Sequence, residues 1–208
     1  FMGYMEADLF GIPARIFRIS FSGELAYEIN IASNFGTFMW EKTIEYGQQF
    51  NIQPYGTEAL SNLRIEMGHV AGPELDGRTI PYDVSLEGLV SKKKDFVGKR
   101  SLNRVAFTSS TRQRVVGLVP IDKKTVIPEG SHLVKDIKAK LPNPKLGHIS
   151  SSCWSVEYNN PFALAILQDG KNMIGEKLYA FSPLQNKTIP VEIVSSHYVD
   201  PKGERVRS

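Results

Sequence analysis

Apolar side chains alternate with polar ones from residue 14 to residue 21, where Phe17, Ile19 and Phe21 are separated by Arg18 and Ser20. After Ser22-Gly23-Glu24 the alternation resumes over Leu25, Tyr27, Ile29 and Ile31. Two period-two runs around a short glycine-containing loop predict a β-hairpin. Keeping both apolar sets on one face pairs odd with odd positions, so that Ile19 is expected opposite Tyr27 and Arg18 opposite Glu28. The period then lengthens. Asn34 is expected to cap a helix running to about Phe50, with Phe35, Phe38, Met39 and Trp40 as its apolar stripe. A second helix is expected over 57–67, where Ala59, Leu60, Leu63 and Met67 recur at helical spacing and Gly68 supplies a stop.

From residue 70 to 83 the signals are those of turns: Ala71-Gly72-Pro73, Asp76-Gly77 and Ile80-Pro81. A short helix is expected at 101–106 after Gly98. Residues 108–114 are polar and read as a linker. Beyond them the rhythm changes to short apolar runs at 115–119, 132–134, 146–150, 162–167, 177–181 and 191–194, separated by Gly, Pro, Asn and Asp. Short strands with no helix between them predict a small β-barrel or sandwich.

Composition adds mostly exclusions. A chain of 208 residues with 41% hydrophobic and 23% charged positions is an ordinary globular sequence, long enough for one large or two small domains. Its net charge of +3 is mixed along the chain, and the basic runs Lys92-Lys93-Lys94 and Lys99-Arg100 lack interleaved aromatics, which argues for solvated loops and against a nucleic-acid surface. Cys153 is the only cysteine, so neither an internal disulfide nor a thiolate metal cage can form. His69, His132, His148 and His197 lie far apart and do not suggest a metal site. No apolar stretch approaches the about 20 residues of a membrane span. Phe1-Met2-Gly3-Tyr4-Met5 is no signal peptide and reads as the interior of a longer chain. A cytoplasmic protein is expected.

Few residues suggest chemistry unaided. There is no GxGxxG opening a helix and no phosphate loop, so no flavin, nicotinamide or metal is expected on this chain. Asp83 and Glu87 could act as paired carboxylates, although a helix start with Asp83 as its cap is the plainer reading. Cys153 beside Trp154 has nothing basic adjoining it in sequence and reads as a small buried residue rather than a reactive thiol. For Glu28 the plain role is a cross-strand pair with Arg18, and periodicity alone leaves that even with a functional one.

Longer segments carry a resemblance. Phe21-Ser22-Gly23-Glu24-Leu25-Ala26-Tyr27-Glu28-Ile29 is similar to the aromatic-[ST]-G-E-x-x-[aromatic/aliphatic]-E-[IV] segment of the glycine-cleavage aminomethyltransferase (T-protein) superfamily. Pro54-Tyr55-Gly56-Thr57-Glu58-Ala59-Leu60 and Leu63-Arg64-Ile65-Glu66-Met67-Gly68 resemble its G-x-x-A-x-x-x-L-R-x-E-x-G helix. Glu74-Leu75-Asp76-Gly77-Arg78-Thr79-Ile80-Pro81-Tyr82-Asp83 and Asp95-Phe96-Val97-Gly98-Lys99-Arg100-Ser101-Leu102 extend the match. The Pro-Tyr-Gly-Thr-Glu-Ala wording and the D-G-x-x-x-P-x-D spacing look like the alpha subunits of heterotetrameric sarcosine oxidases. Leu146-Gly147-His148-Ile149-Ser150-Ser151-Ser152 and Asp200-Pro201-Lys202-Gly203-Glu204-Arg205 fit the C-terminal barrel of that family.

The resemblance implies an α+β chain: residues 1–108 as the C-terminal part of a folate-binding aminomethyltransferase-like domain, and 109–208 as a small C-terminal β-barrel. It implies tetrahydrofolate as the cofactor of the intact protein, capturing the methyl carbon of sarcosine as 5,10-methylenetetrahydrofolate. Glu28 matches the pterin-binding glutamate and Phe21 a nearby aromatic. The aminomethyltransferase helix has an arginine where this chain has Leu60, whereas sarcosine oxidases tend to be apolar there. The catalytic aspartate of the family matches no position here, so no catalytic residue is assigned and the isolated chain is expected to be inactive. Expected partners are other sarcosine oxidase subunits or an N-terminal region, with self-association as a further outcome; no nucleic acid or membrane is expected. A glycine-cleavage aminomethyltransferase, a folate-dependent demethylase and a non-catalytic interaction remnant are the alternatives.

Overall fold

A computed structural model describes residues 1–138 and 144–208. The chain divides into two compact units, residues 1–63 with 202–208, and residues 64–201.

In the first unit, β1 (Gly3–Leu9), β2 (Ile12–Arg18) and β3 (Glu28–Asn30) form an antiparallel sheet in the order β1-β2-β3. Phe10 and Gly11 both have positive φ, 57° and 81°, as a two-residue primed hairpin turn requires, and Asp8 Oδ1 accepts the Gly11 N–H at 2.7 Å. That turn packs on α1 (Gly36–Gly47): the Phe10 ring lies 6.3 Å from Phe38 and 5.0 Å from Tyr46.

Three sequence expectations are corrected in this unit. The main partner of β2 is β1, and β3 pairs with β2 one residue out of the expected register, with Phe17 opposite Glu28 and Ile16 opposite Ile29. The reason lies in the connection: residues 19–27 stay outside the ladder, where Ser20 Oγ accepts the Gly23 N–H at 2.9 Å and Ser22 Oγ the Glu24 N–H at 3.4 Å, so side-chain turns replace a tight hairpin loop that would fix the expected register. Asn34 caps nothing either. It sits inside a 3-10 turn, Ser33–Phe35, that leads into α1 without a side-chain cap. Of the expected stripe on α1 only Met39 is buried.

α2 (Thr57–Glu66) ends close to the expected position, with Gly68 at φ 70° accepting the left-handed stop. A Cβ on Gly68 would come within 2.4 Å of the Ser196 carbonyl oxygen, so that site also needs the missing side chain. The buried residues of α2 are Arg64, Ile65 and Glu66 rather than the predicted Ala59, Leu60, Leu63 and Met67. In place of one helix over 101–106 there are two single turns, α3 (Lys99–Leu102) and α4 (Val105–Thr108).

The second unit is built on a closed antiparallel barrel, in the order β4-β7-β6-β5-β8-β9. Its strands are β4 (Gln113–Pro120), β5 (His132–Val134), β6 (Gly147–Ser155), β7 (Asn160–Gln168), β8 (Lys177–Ser182) and β9 (Lys187–Val194). All six were foreshadowed by the apolar runs, and closure decides between barrel and sandwich. Along β7 the side chains of Ala163, Ala165 and Leu167 fill the barrel, while Phe162, Leu164 and Ile166 pack outward with Ile65 and Val84. A strand covered on both faces cannot alternate, which is why β7 is apolar at almost every position. No helix among the described residues is long and apolar enough to cross a membrane.

Candidate functional site

Glu28 opens β3, and its neighbours in space follow from the register described above. Phe17, not Arg18, stands opposite it. The Arg18 guanidinium instead donates to the main-chain oxygen of Ser208. Glu28 is exposed, and its carboxylate makes no hydrogen bond or ion pair among the described residues, which leaves both of its oxygens available as acceptors. Phe21 lies in the loop that precedes β3 and is 39% exposed, and Gly23 allows that loop to turn through φ 86°. The loop is tied at one further point, where Arg205 Nη1 donates to Glu24 Oε1 at 3.0 Å. A small cleft of about 230 Å³ beside it is lined by Tyr4, Met5, Ile16, Arg18 and Tyr27, among others.

The second unit holds two buried charge clusters that periodicity does not reveal. Arg64, on the last turn of α2, donates to Glu74 Oε2 at 3.0 Å and to Ser151 Oγ at 2.8 Å. Ser151 in turn donates to Glu74 Oε1 at 2.6 Å, and the Ala71 N–H reaches Oε2 at 2.9 Å. Burial works to raise the pKa of the Glu74 carboxyl. Hydrogen bonds from Ser150, Ser151 and the Ala71 N–H, together with the charge of Arg64, outweigh burial and hold it below its ordinary value. The Ser150 hydroxyl also has an acceptor in the Leu164 carbonyl at 3.1 Å. A β-bulge places Ser151. The β6–β7 register shifts between Ile149 and Ser151, so Ile149 points into the barrel while Ser151 and Cys153, also odd-numbered, point out of it.

Asp83 is the second centre. It caps the start of a 3-10 turn, Pro81–Val84, as the third residue of that turn rather than as its N-cap, and it does not pair with Glu87, which is exposed. Fully enclosed, it accepts the Ile80 N–H at 3.1 Å and a two-pronged contact from Arg112, with Nε at 2.6 Å and Nη2 at 2.7 Å. Arg112 also donates to the Arg78 carbonyl at 3.0 Å. The polar run 108–114 is therefore an anchored segment rather than a loose linker. A cleft of about 770 Å³ alongside is lined by Arg78, Arg112, Lys145 and His148 with apolar Phe107 and Ile166. Burial, then the charges of Lys145 and Arg78, holds the His148 pKa below its ordinary value. Both arginines are already paired, Arg78 with Asp76 and Arg112 with Asp83. Cys153 is buried, and burial followed by the charge of Glu66 pushes its thiol up to about 12, so it is a packing residue.

These arrangements meet a known pattern. Residues 1–94 match the family described as the GCVT N-terminal domain, and residues 113–200 match the glycine cleavage T-protein C-terminal barrel domain. The chain belongs to the glycine-cleavage T-protein (aminomethyltransferase) superfamily. It is 39% identical to the sarcosine oxidase subunit alpha of Rhizobium meliloti (strain 1021), across 99% of this chain and 21% of that protein. Against the aminomethyltransferase of Thermoanaerobacter pseudethanolicus it is 26% identical, covering 90% of this chain and 49% of the relative. The crystal structure of the glycine cleavage system aminomethyltransferase T from Bartonella henselae superimposes with a TM-score of 0.73 at 21% identity, over 90% of this chain and 50% of that one, which shows the shared fold. The chain thus spans about a fifth of the sarcosine oxidase alpha subunit and about half of the aminomethyltransferases.

Proposed function

We propose that residues 1–208 form the tetrahydrofolate-facing portion of a sarcosine-oxidase-type alpha subunit. The observation that carries this reading is the exposed, unpaired carboxylate of Glu28 within the Phe21–Ile29 motif. A carboxylate so placed can accept charge-assisted hydrogen bonds from the amino and ring N–H groups of a pterin, and Phe21 offers an apolar wall for the ring. Similarity to sarcosine oxidase alpha subunits over the whole chain, at 39–41% identity, supports the narrower assignment. Tetrahydrofolate, when bound, supplies the nitrogens that take up a one-carbon unit; this chain contributes recognition of the pterin edge.

On this reading 1–108 is the tail of the folate domain and 109–208 the barrel domain. The protein is cytoplasmic, and flavin, nicotinamide and metal chemistry reside outside these residues. No proton-handling carboxylate of the family is matched among the 208 residues. A missing acid–base group costs about two to four decades in rate. Incubating the pure chain with sarcosine, or with formaldehyde and tetrahydrofolate, and assaying hydrogen peroxide and methylenetetrahydrofolate is expected to give no turnover above a no-protein control. Turnover clearly above that control contradicts the reading.

A second reading, that the chain serves as an assembly surface without chemistry, is favoured by the large apolar side chains exposed on the first unit, Tyr4, Met5, Tyr27, Ile29 and Trp40 among them. Native mass spectrometry of the complex purified from cells distinguishes the two. A partner with no folate bound to the assembly supports this second reading, and folate retained by the assembly opposes it.

A further inference from the structure

The loop over 20–27 turns on side-chain contacts rather than on a backbone ladder. It lies between β2 and β3, outside their ladder, and within it run the Ser20–Gly23 and Ser22–Glu24 contacts at 2.9 and 3.4 Å and a long Ser20–Ser22 hydroxyl contact of 3.4 Å. Loops of this kind open at low cost and exchange their amides early. Residues 202–208, by contrast, fold on themselves. Arg207 donates to the Lys202 and Gly203 carbonyls at 2.5 and 2.6 Å, its N–H reaches the Glu204 carbonyl at 3.1 Å, and the Ser208 hydroxyl reaches the Arg205 carbonyl at 2.8 Å. Gly203 at φ 63° permits the turn. This small knot meets the loop itself through Glu24, and the end of β2 through Arg18.

We propose that Arg205 is a positioning residue, which holds the 20–27 loop through its ion pair with Glu24 and thereby sets Phe21 and Glu28 for the ligand. The role of those two residues rests on the folate reading above; the hold on the loop does not. Lys202–Ser208 lies at the far end of the sequence from this loop, yet both belong to one compact unit. The two side chains are 38% and 45% exposed, so solvent and salt screen the pair and its effect is modest.

Amide hydrogen exchange on the 208-residue chain tests the hold. R205A is expected to speed exchange across 20–27 by about two- to fivefold, the range of a partly exposed pair, while peptides of β4, β6 and β7 stay unchanged. R205K should recover part of the protection, and the reciprocal E24R/R205E exchange should recover most of it. Molar salt on the wild-type chain should reproduce the acceleration without any substitution. Unchanged exchange in R205A, or a charge swap that restores nothing, overturns the proposal. Amide shifts on adding tetrahydrofolate give the positioning readout: a response that weakens in R205A and returns in the swap supports it. A wild-type response to tetrahydrofolate that R205A leaves intact, while the loop loosens, also overturns it. If the loop loosens and is restored but tetrahydrofolate shifts nothing even in wild type, the hold is supported and the folate reading of Glu28 falls instead.

Discussion

The two units use apolar residues in opposite ways. In the barrel, closure leaves no sheet edge, and outward-facing Phe162, Leu164 and Ile166 are as well covered as the inward-facing Ala163, Ala165 and Leu167. In the three-stranded sheet of the first unit, the face carrying Tyr4 and Phe17 and the face carrying Met5, Ile16 and Ile29 both keep large apolar groups at the surface. Burial of apolar area is what opposes the conformational entropy of folding. The contrast therefore separates a part that stabilises itself from a part whose apolar surface remains available for a ligand or a partner.

Substitutions should reproduce that contrast. Phe162→Ala removes a fully enclosed ring that stacks on Tyr198 at 4.4 Å, and should lower the stability of the second unit by about 3–5 kcal/mol in chemical denaturation. Arg64→Met leaves Glu74 enclosed without its cation, for a loss of about 3–5 kcal/mol, whereas Arg64→Met combined with Glu74→Leu should recover much of it. Asp83→Asn weakens the two-pronged hold on Arg112 and should cost about 1.5–3 kcal/mol. At the other extreme, Met5→Ser on the exposed sheet should change stability by no more than about 0.5 kcal/mol. A Met5 effect as large as that of Phe162 would erase the distinction between the units.

A pH series sharpens the same comparison. The Glu74 carboxyl titrates below its ordinary value when folded, so its contribution is present above the unfolded value of 4.5 and is lost as pH falls through the lower folded one. Acid unfolding should therefore begin to weaken the second unit below pH 4.5, and Arg64→Met should reduce that pH dependence. Cys153 provides a matching probe: with its thiol pushed up to about 12, it should resist a thiol reagent near neutral pH until the barrel opens.

How legible each part was follows from the same physics. Barrel strands announce themselves because β4 and β7 are buried on both faces, which leaves unbroken apolar runs. The hairpin misled because Ile16 and Phe17 put apolar groups on both parities, so alternation alone could not select between adjacent registers. Residues 1–13 carry no alternation as regular as the rhythm that follows them, so β1 leaves no comparable mark in the pattern. Helix α2 was located by its period and its glycine stop, yet its buried face carries Arg64 and Glu66, because a charged residue can be enclosed once partners distant in sequence are folded against it. Those partners, Glu74 and Ser151, depend on the bulge at Ser150, which leaves no mark on the local pattern. Arg112 was hidden for a similar reason: a polar run looks the same whether it is solvated or, as here, bound to a buried aspartate. For Glu28 and Phe21 the signal was the family motif, and no periodicity argument would have chosen Glu28 over the other exposed carboxylates.

The central claim, that the Phe21–Ile29 segment faces a pterin, is tested most directly by amide chemical shifts of the 208-residue chain titrated with tetrahydrofolate, in wild type and in Glu28→Gln. A weak response is enough, since such shifts report even millimolar binding. The account predicts changes concentrated on residues 21–29, absent from the barrel strands, and weakened about tenfold or more in affinity by the substitution, as loss of a charge-assisted hydrogen bond requires. Shifts centred on the barrel, or a response that Glu28→Gln leaves untouched, would contradict it.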